Sequence, residues 1–317
     1  MWRQAVNRAL RRLTGFQLER PGTRAGRQRE DEERVARLKA RLDRSNRRLA
    51  RTRRRLETTT ARLHRTASRL EAARERASAA DQQLRDVKRR RRAIPSHYDE
   101  AAARFIRQVR QRTMTDHAKL YGLVEATRYV ARQNIPGAIV ECGVWRGGSM
   151  QAVALALQEE GVIDRPLHLY DTFEGMPPPT DRDHRKNVSA AELLATHEKG
   201  HRVWAVAGLD DVQEAMREVG YPTEMIHFHQ GLVEETIPAD APEQIALLRL
   251  DTDWYDSTKH ELEHLYDRIV PGGVLILDDY GDWEGARDAA DEFISARKEP
   301  LLLLPLGTGR LAVKPLR

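Results

Sequence analysis

Five short apolar runs, each followed by turn residues and then by a stretch of helical character, restrict residues 138–279 to few folds. The runs are AIVECG (138–143), LHLYD (167–171), MIHFHQG (225–231), IALLRLD (245–251) and GVLILDD (273–279). Strands of this length separated by amphipathic helices predict an α/β fold, a mostly parallel sheet with helices on both faces. In such sheets ligands bind at the carboxyl ends of the strands. What stands at each strand tip is therefore the functional question.

The first run leads into IVECGVWRGGSM, where Glu141 ends the strand and Gly143, Gly147 and Gly148 open a helix whose start at Ser149 offers free N–H groups. Its spacing, E-x-G-x-x-x-G, departs from the G-x-G-x-x-G of dinucleotide folds, and a tight strand-to-helix turn is its plainest reading. The second run ends in Asp171, with Thr172 next. An acid there can accept the hydroxyls of an adenosine ribose or simply cap a loop. A glycine turn without a phosphate fingerprint, joined to a ribose-type acid, suggests S-adenosylmethionine. Asp251 ends the fourth run and the pair Asp278–Asp279 the fifth. Neighbouring tips bring these carboxylates together, a hard oxygen set suited to Mg2+. Without a cation they repel and raise one another's pKa. A metal-assisted hydroxyl needs a base, and Asp253 or Asp251 can serve. Asp256 reads as the cap of the following helix.

The N-terminal third is of another kind. Neither Gly nor Pro occurs between Gly26 and Pro95, and Val35, Leu42, Leu49, Leu56, Leu63, Leu70, Ala77 and Leu84 recur every seventh residue. That period predicts a coiled coil, with a homodimer as the expected assembly. The second seam position is weaker: Leu38, Ser45, Thr52, Thr59, Thr66, Ala73, Ala80, Val87. Pro95 sets the boundary, so the expected division is a basic amphipathic segment at 1–30, a coiled coil at 31–94 and a globular domain at 95–317.

Residues 1–95 hold 30 Lys and Arg against 11 Asp and Glu, a net +19, while residues 96–317 hold 24 against 37, a net −13. The basic arm reads as a solvated helix surface, as a contact to an anionic membrane or as a contact to nucleic acid. Trp2, Val6, Leu10, Leu13 and Phe16 can share one helix face among arginines, which favours the membrane. Nucleic acid is not the expected partner, because the acidic globule repels phosphates. A single cysteine, Cys142, and the lack of a spanning or secretory apolar run predict a cytoplasmic protein, and the amphipathic basic start adds the option of a peripheral place at the inner face of the membrane. The histidines fit no zinc template. The polar loop 177–199 reads as a lid or as a surface insertion.

IPGAIVECGVWRGGSM, LYDTFEGMP, LLRLDTDWYDST and PGGVLILDDYGDW, in that order, resemble the macrocin O-methyltransferase (TylF-type) family over residues 105–300, the coiled coil excluded. The resemblance implies a class I Rossmann-like methyltransferase fold that uses S-adenosylmethionine and Mg2+ to methylate a sugar hydroxyl on a glycosylated natural product. By motif, Glu141, Gly143 and Asp171 would hold the cofactor, with Gly147, Ser149 and Thr172 beside them, and Asp251, Asp278 and Asp279 would hold the metal. Thr113–Thr115, expected just before the domain's first helix, resembles the cofactor-closing segment. Gly231 and Asp211 are expected near the adenine. The acid arrangement is also similar to that of catechol O-methyltransferase. The basic rod departs from the family pattern and suggests a glycan or glycolipid substrate at a surface. A methyltransferase-fold scaffold without turnover, acting through the coiled coil, is the alternative.

Overall fold

Residues 8, 12, 24–92, 94–297 and 300–316 are described in the computed structural model, which divides into two compact units, 1–87 and 88–317. Without a helix breaker, α1 (Arg24–Arg92) runs unbroken for 69 residues, about 100 Å at 1.5 Å per residue. Its seam is not buried within its own unit: Leu42, Leu49, Leu56 and Leu63 are 60–67% exposed. The expected amphipathic face of residues 1–16 lies outside the described residues apart from Arg8 and Arg12. No helix among the described residues is long and apolar enough to cross a membrane.

The second unit has the expected α/β architecture. Its elements are α2 (Glu100–Val109), α3 (His117–Arg132), β1 (Ala138–Cys142), α4 (Gly148–Glu159), β2 (Leu167–Asp171), β3 (His184–Arg185), β4 (Val188–Ser189), α5 (Ala190–Ala195) and α6 (Leu209–Glu218). After these come β5 (Ile226–Gln230), α7 (Val233–Thr236), β6 (Ile245–Leu250), α8 (Tyr255–Leu265), β7 (Ile269–Leu277), α9 (Glu284–Arg297), β8 (Leu304–Leu306) and β9 (Gly309–Val313). The main sheet has the order β5-β2-β1-β6-β7-β9-β8, parallel from β5 to β7, with β9 antiparallel to both neighbours.

β1 and β6 are buried along their whole length, which is why, Glu141 and Arg249 apart, they read as apolar runs. Two apolar clusters cover the sheet's faces, one holding Ile139, Leu169 and Leu247, the other Val140, Tyr170 and Leu248. Such alternation follows from the two-residue period of a strand.

In the placement of elements the structure departs from the sequence reading at three places. β7 starts four residues early, at Ile269, and a register shift between Ile245 and Leu247 takes Pro271 out of the ladder it cannot donate to. The β8–β9 hairpin was not anticipated, because LLLLPLGTGRLAV shows no alternation. Thr113–Thr115 lies between α2 and α3, not ahead of the domain's first helix.

The loop 177–199 is folded. Its β3–β4 hairpin and α5 pack Ala190 and Leu194 against Trp254, Trp283 and Ala286. Asp183, fully buried, joins the insert to α8: Oδ2 accepts from the Thr180 N–H and hydroxyl, and Oδ1 accepts from the Tyr255 N–H at 2.8 Å. Asp183 thus takes the capping role expected of Asp256, which is exposed in the first turn of a helix whose N-cap, Trp254, makes no side-chain cap bond. Asp183→Ala strands buried donors and is expected to lower unfolding free energy in urea by about 1–3 kcal/mol. Asp256→Ala should change it by less than about 0.5 kcal/mol.

Candidate active site

Backbone hydrogen bonds carry the parallel ladder one residue past each strand and align the tips. Gly231 N–H donates to Asp171 O (3.1 Å), Gly143 to Tyr170 O (2.9 Å), Asp251 to Cys142 O (2.8 Å) and Asp278 to Leu250 O (2.9 Å). In sheet order the tips therefore read Gly231, Asp171, Gly143, Asp251, Asp278. All five line one cavity of about 510 Å³. At its middle the strands come too close for a side chain: a Cβ on Gly143, whose φ is +83°, would sit 2.0 Å from the carbonyl oxygen of Asp251.

Beneath the acidic half lies Arg249, the one charged residue of β6 and only 2% exposed. Its guanidinium pairs with Glu141, with Asp251 at 2.8 Å and with Asp278 at 2.7 Å, and donates to the Thr115 hydroxyl at 2.8 Å. Lys119, from the first turn of α3, binds the other Asp278 oxygen at 2.8 Å and Asp282 at 3.1 Å. Two buried cations thus hold Asp278 ionised, with its pKa below the usual carboxylate range despite burial.

The rest of the cluster is compensated only in part. Burial and then repulsion from Asp251 push Asp253 up to about 7. Burial drives Asp279 well up, with Asp253 and Asp278 adding to it, and Asp251 rises although Arg249 opposes the shift. Glu141 rises to about 7 by burial, one of its oxygens having no hydrogen-bond partner among the described residues. One oxygen from each of Asp251, Asp278 and Asp279 lies within 4.8 Å of the others. Hard, clustered and short of positive charge, this donor set fits a divalent cation with oxygen preference.

In the other half, Asp171 accepts backbone N–H bonds from Val144 (2.7 Å), Trp145 (2.9 Å) and Phe173 (2.8 Å), locking the glycine turn to the β2 tip. The Thr172 hydroxyl stands off at 3.5 Å from Oδ1, and a carboxylate offers about four acceptor sites, so capacity for a ligand hydroxyl remains. Thr113, Ser149, Thr172 and Gly231 also line the cavity, with Ser149 Oγ 3.4 Å from Thr115 Oγ1. Cavity, glycine cradle and acceptor carboxylate suit a nucleoside-bearing cofactor.

Three residues expected around the cofactor do not line the cavity. Glu141 is fully buried below it, paired to Arg249. Gly147, at φ +80°, faces α6, where a Cβ would meet Val212 at 3.1 Å. Asp211 is held by Arg112 (3.0 Å) and Arg146 (2.8 Å). Sequence reasoning passed over Arg249 and Lys119. Arg249 carried a signal, since a charge within a doubly buried strand requires carboxylate partners; Lys119 carried none, because its partners lie about 160 residues away in sequence.

The sequence profile of the macrocin-O-methyltransferase (TylF) family matches residues 41–303. The chain belongs to this family. The match begins inside α1, so it includes part of the long helix that the four motifs did not reach. Mycinamicin III 3''-O-methyltransferase of Micromonospora griseorubida is 33% identical over 53% of this chain and 65% of its own length. The 4'-O-methyltransferase of Streptomyces olivaceus that acts on 8-demethyl-8-(2,3-dimethoxy-alpha-L-rhamnosyl)-tetracenomycin-C is 32% identical over 57% of this chain and 67% of its own. The chain thus spans about two thirds of these relatives. Among solved structures, the O-methyltransferase NovP is 28% identical with a TM-score of 0.57, covering 65% of this chain and 83% of that one. The calicheamicin methyltransferase CalS11, 20% identical with a TM-score of 0.50, shares the fold.

In this macrocin-O-methyltransferase family member, Arg249→Leu leaves Glu141, Asp251 and Asp278 facing one another and is expected to lower unfolding free energy by about 3–5 kcal/mol, measured by urea denaturation. The raised acids also fix a pH dependence. A folded-state pKa above the unfolded one means that the native state binds more protons between them, so stability falls as pH rises from about 4 through about 7. Thermal unfolding in EDTA should therefore occur at lower temperature at pH 7.5 than at pH 5.5. Mg2+ should raise it more at pH 7.5 than at pH 5.5, and Asp279→Asn should shrink that difference.

Proposed function

We propose that the chain is an S-adenosylmethionine-dependent, Mg2+-assisted O-methyltransferase whose acceptor is a sugar hydroxyl on a glycosylated natural product, glycan or glycolipid. The observation carrying this reading is the meeting, at Gly143 and Asp251, of a glycine-and-acid half and a carboxylate half within one cavity. Relatives named for sugar-bearing acceptors support the substrate class.

When bound, S-adenosylmethionine supplies the electrophilic methyl group; Asp171, Gly143, Ser149 and Gly231 would hold it. A divalent cation on Asp251, Asp278 and Asp279 would lower the pKa of an acceptor hydroxyl. Asp253 is suited to take the proton. It lines the cavity, its pKa lies near neutrality, and its N–H donates to Asp279 at 3.1 Å from a backbone held at φ +67°. Arg249 holds Asp251 and Asp278 in place from beneath, and Lys119, at the cavity wall, holds Asp278. Trp145 and Trp283 give the cavity aromatic walls against which the C–H face of a sugar can pack.

The test is S-adenosylhomocysteine release on a panel of deoxysugar glycosides, with calorimetry of S-adenosylmethionine. Turnover should require a divalent cation and fall at least about 100-fold in Asp253→Asn while cofactor affinity is kept. Asp171→Ala should lose cofactor binding. A wild-type chain that does not bind S-adenosylmethionine, leaving only a scaffold, would contradict the proposal, as would full turnover by Asp253→Asn.

A further inference from the structure

Alongside the leucines of α1 runs a second seven-residue row. The residue before each of Val35, Leu42, Leu49, Leu56, Leu63 and Leu70 is an arginine, namely Arg34, Arg41, Arg48, Arg55, Arg62 and Arg69, and Arg76 continues the row before Ala77. With the leucines at heptad position a, these arginines stand at g, the flank that reads a partner helix. All seven are exposed. Among the described residues none of them forms an ion pair; the pairs on the helix are Arg37–Glu33, Arg53–Glu57 and Arg85–Asp81.

A second copy does not satisfy this row. In a parallel pair, g faces the partner's e position five residues on, which sets Arg34 against Lys39, Arg48 against Arg53 and Arg69 against Arg74, and only Arg76 meets an acid, Asp81. In an antiparallel pair g faces g, arginine against arginine. Asp43, Glu57, Glu71 and Glu75 stand at b and f, away from the seam. Like charges flanking a seam oppose pairing.

A flat lipid surface does not fit either. A strict seven-residue row on a straight helix drifts by about 20° per heptad, on the order of 100° from Val35 to Leu70, so the leucines leave any one plane. A helix that winds around α1 follows them. The second seam position is ready for burial: the hydroxyls of Thr52, Thr59 and Thr66 donate to their own helix, to Arg48 O (3.0 Å), Arg55 O (2.9 Å) and Arg62 O (3.0 Å). Covering them therefore strands no donor.

We infer that α1 is one strand of a heteromeric coiled coil whose partner is an acidic helix, with Asp or Glu facing the arginine row. This partner takes the place of the second copy that the leucine period alone suggests.

The test uses the full-length chain and a labelled 42-residue probe peptide with Leu at a and d and Glu at e and g, beside a scrambled peptide of the same composition. Fluorescence anisotropy at physiological salt should show one-to-one binding at least tenfold tighter than to the scrambled peptide. Replacing Arg41, Arg48, Arg55 and Arg62 with Gln should weaken it at least tenfold. Replacing Arg37, Arg44, Arg51 and Arg65, which removes the same charge from the neighbouring face, should change it less than threefold. Gln favours helix, and circular dichroism verifies that α1 persists. The inference is overturned by absent probe binding or by equal binding of the scrambled peptide. It is also overturned by tighter binding to phosphatidylserine vesicles or duplex DNA, or by a homodimer that Leu49→Glu with Leu56→Glu dissociates and the probe does not displace.

Discussion

A guanidinium in the middle of the sheet holds the acidic half of the site together. Arg249 is buried on β6 and reaches Glu141 on β1, Asp251 at its own strand tip and Asp278 at the tip of β7. A lone charge in such surroundings is prohibitively unfavourable, and three carboxylates in one place are unfavourable as well. Together they are tolerable. The arrangement fixes three strand tips relative to one another and passes through the Thr115 hydroxyl to the α2–α3 segment at the cavity wall. Lys119 completes it from α3, bonding both the carboxylate and the backbone carbonyl of Asp278.

The compensation is deliberately partial in its chemical effect. Two cations face Glu141, Asp251, Asp253, Asp278 and Asp279, so negative charge exceeds positive even before Asp282 is counted. Asp278 stays ionised where both cations touch it, while burial raises Asp253 and Asp279, which pair with neither, and raises Asp251 in spite of its one pair with Arg249. Such separation of neighbouring acids is how a site assigns one to bind and another to exchange protons. The glycine turn at Gly143 then sets how near the cofactor half approaches this charge, since any side chain there would strike Asp251.

Much of this was legible in the sequence because it is local. The five strands appear as apolar runs, and the strand-tip acids follow from the rule that parallel sheets present ligands at their carboxyl ends. What was not legible depends on partners distant in sequence. Asp211 reads in the sequence as a neighbour of the adenine, whereas in the fold it is held by Arg112 and Arg146 and does not line the cavity. Asp256 sat at the expected capping position, yet Asp183, some seventy residues earlier, supplies the bond. Lys119 is an ordinary helical lysine in sequence and acquires its role only when α3 meets the β7 tip. On α1 the leucine period was plain, whereas the arginine row beside it becomes meaningful only when each position is assigned to a side of the seam.

The central claim is that Asp251, Asp278 and Asp279 form a site short of one divalent cation. Titration of Mn2+ into the EDTA-treated full-length chain, followed by electron paramagnetic resonance of free Mn2+, tests it most directly. The account predicts one saturable site in the wild type, displaced by Mg2+ and lost in Asp279→Asn, with the variant's fold retained by circular dichroism. No saturable uptake, or uptake undiminished in Asp279→Asn, would contradict it.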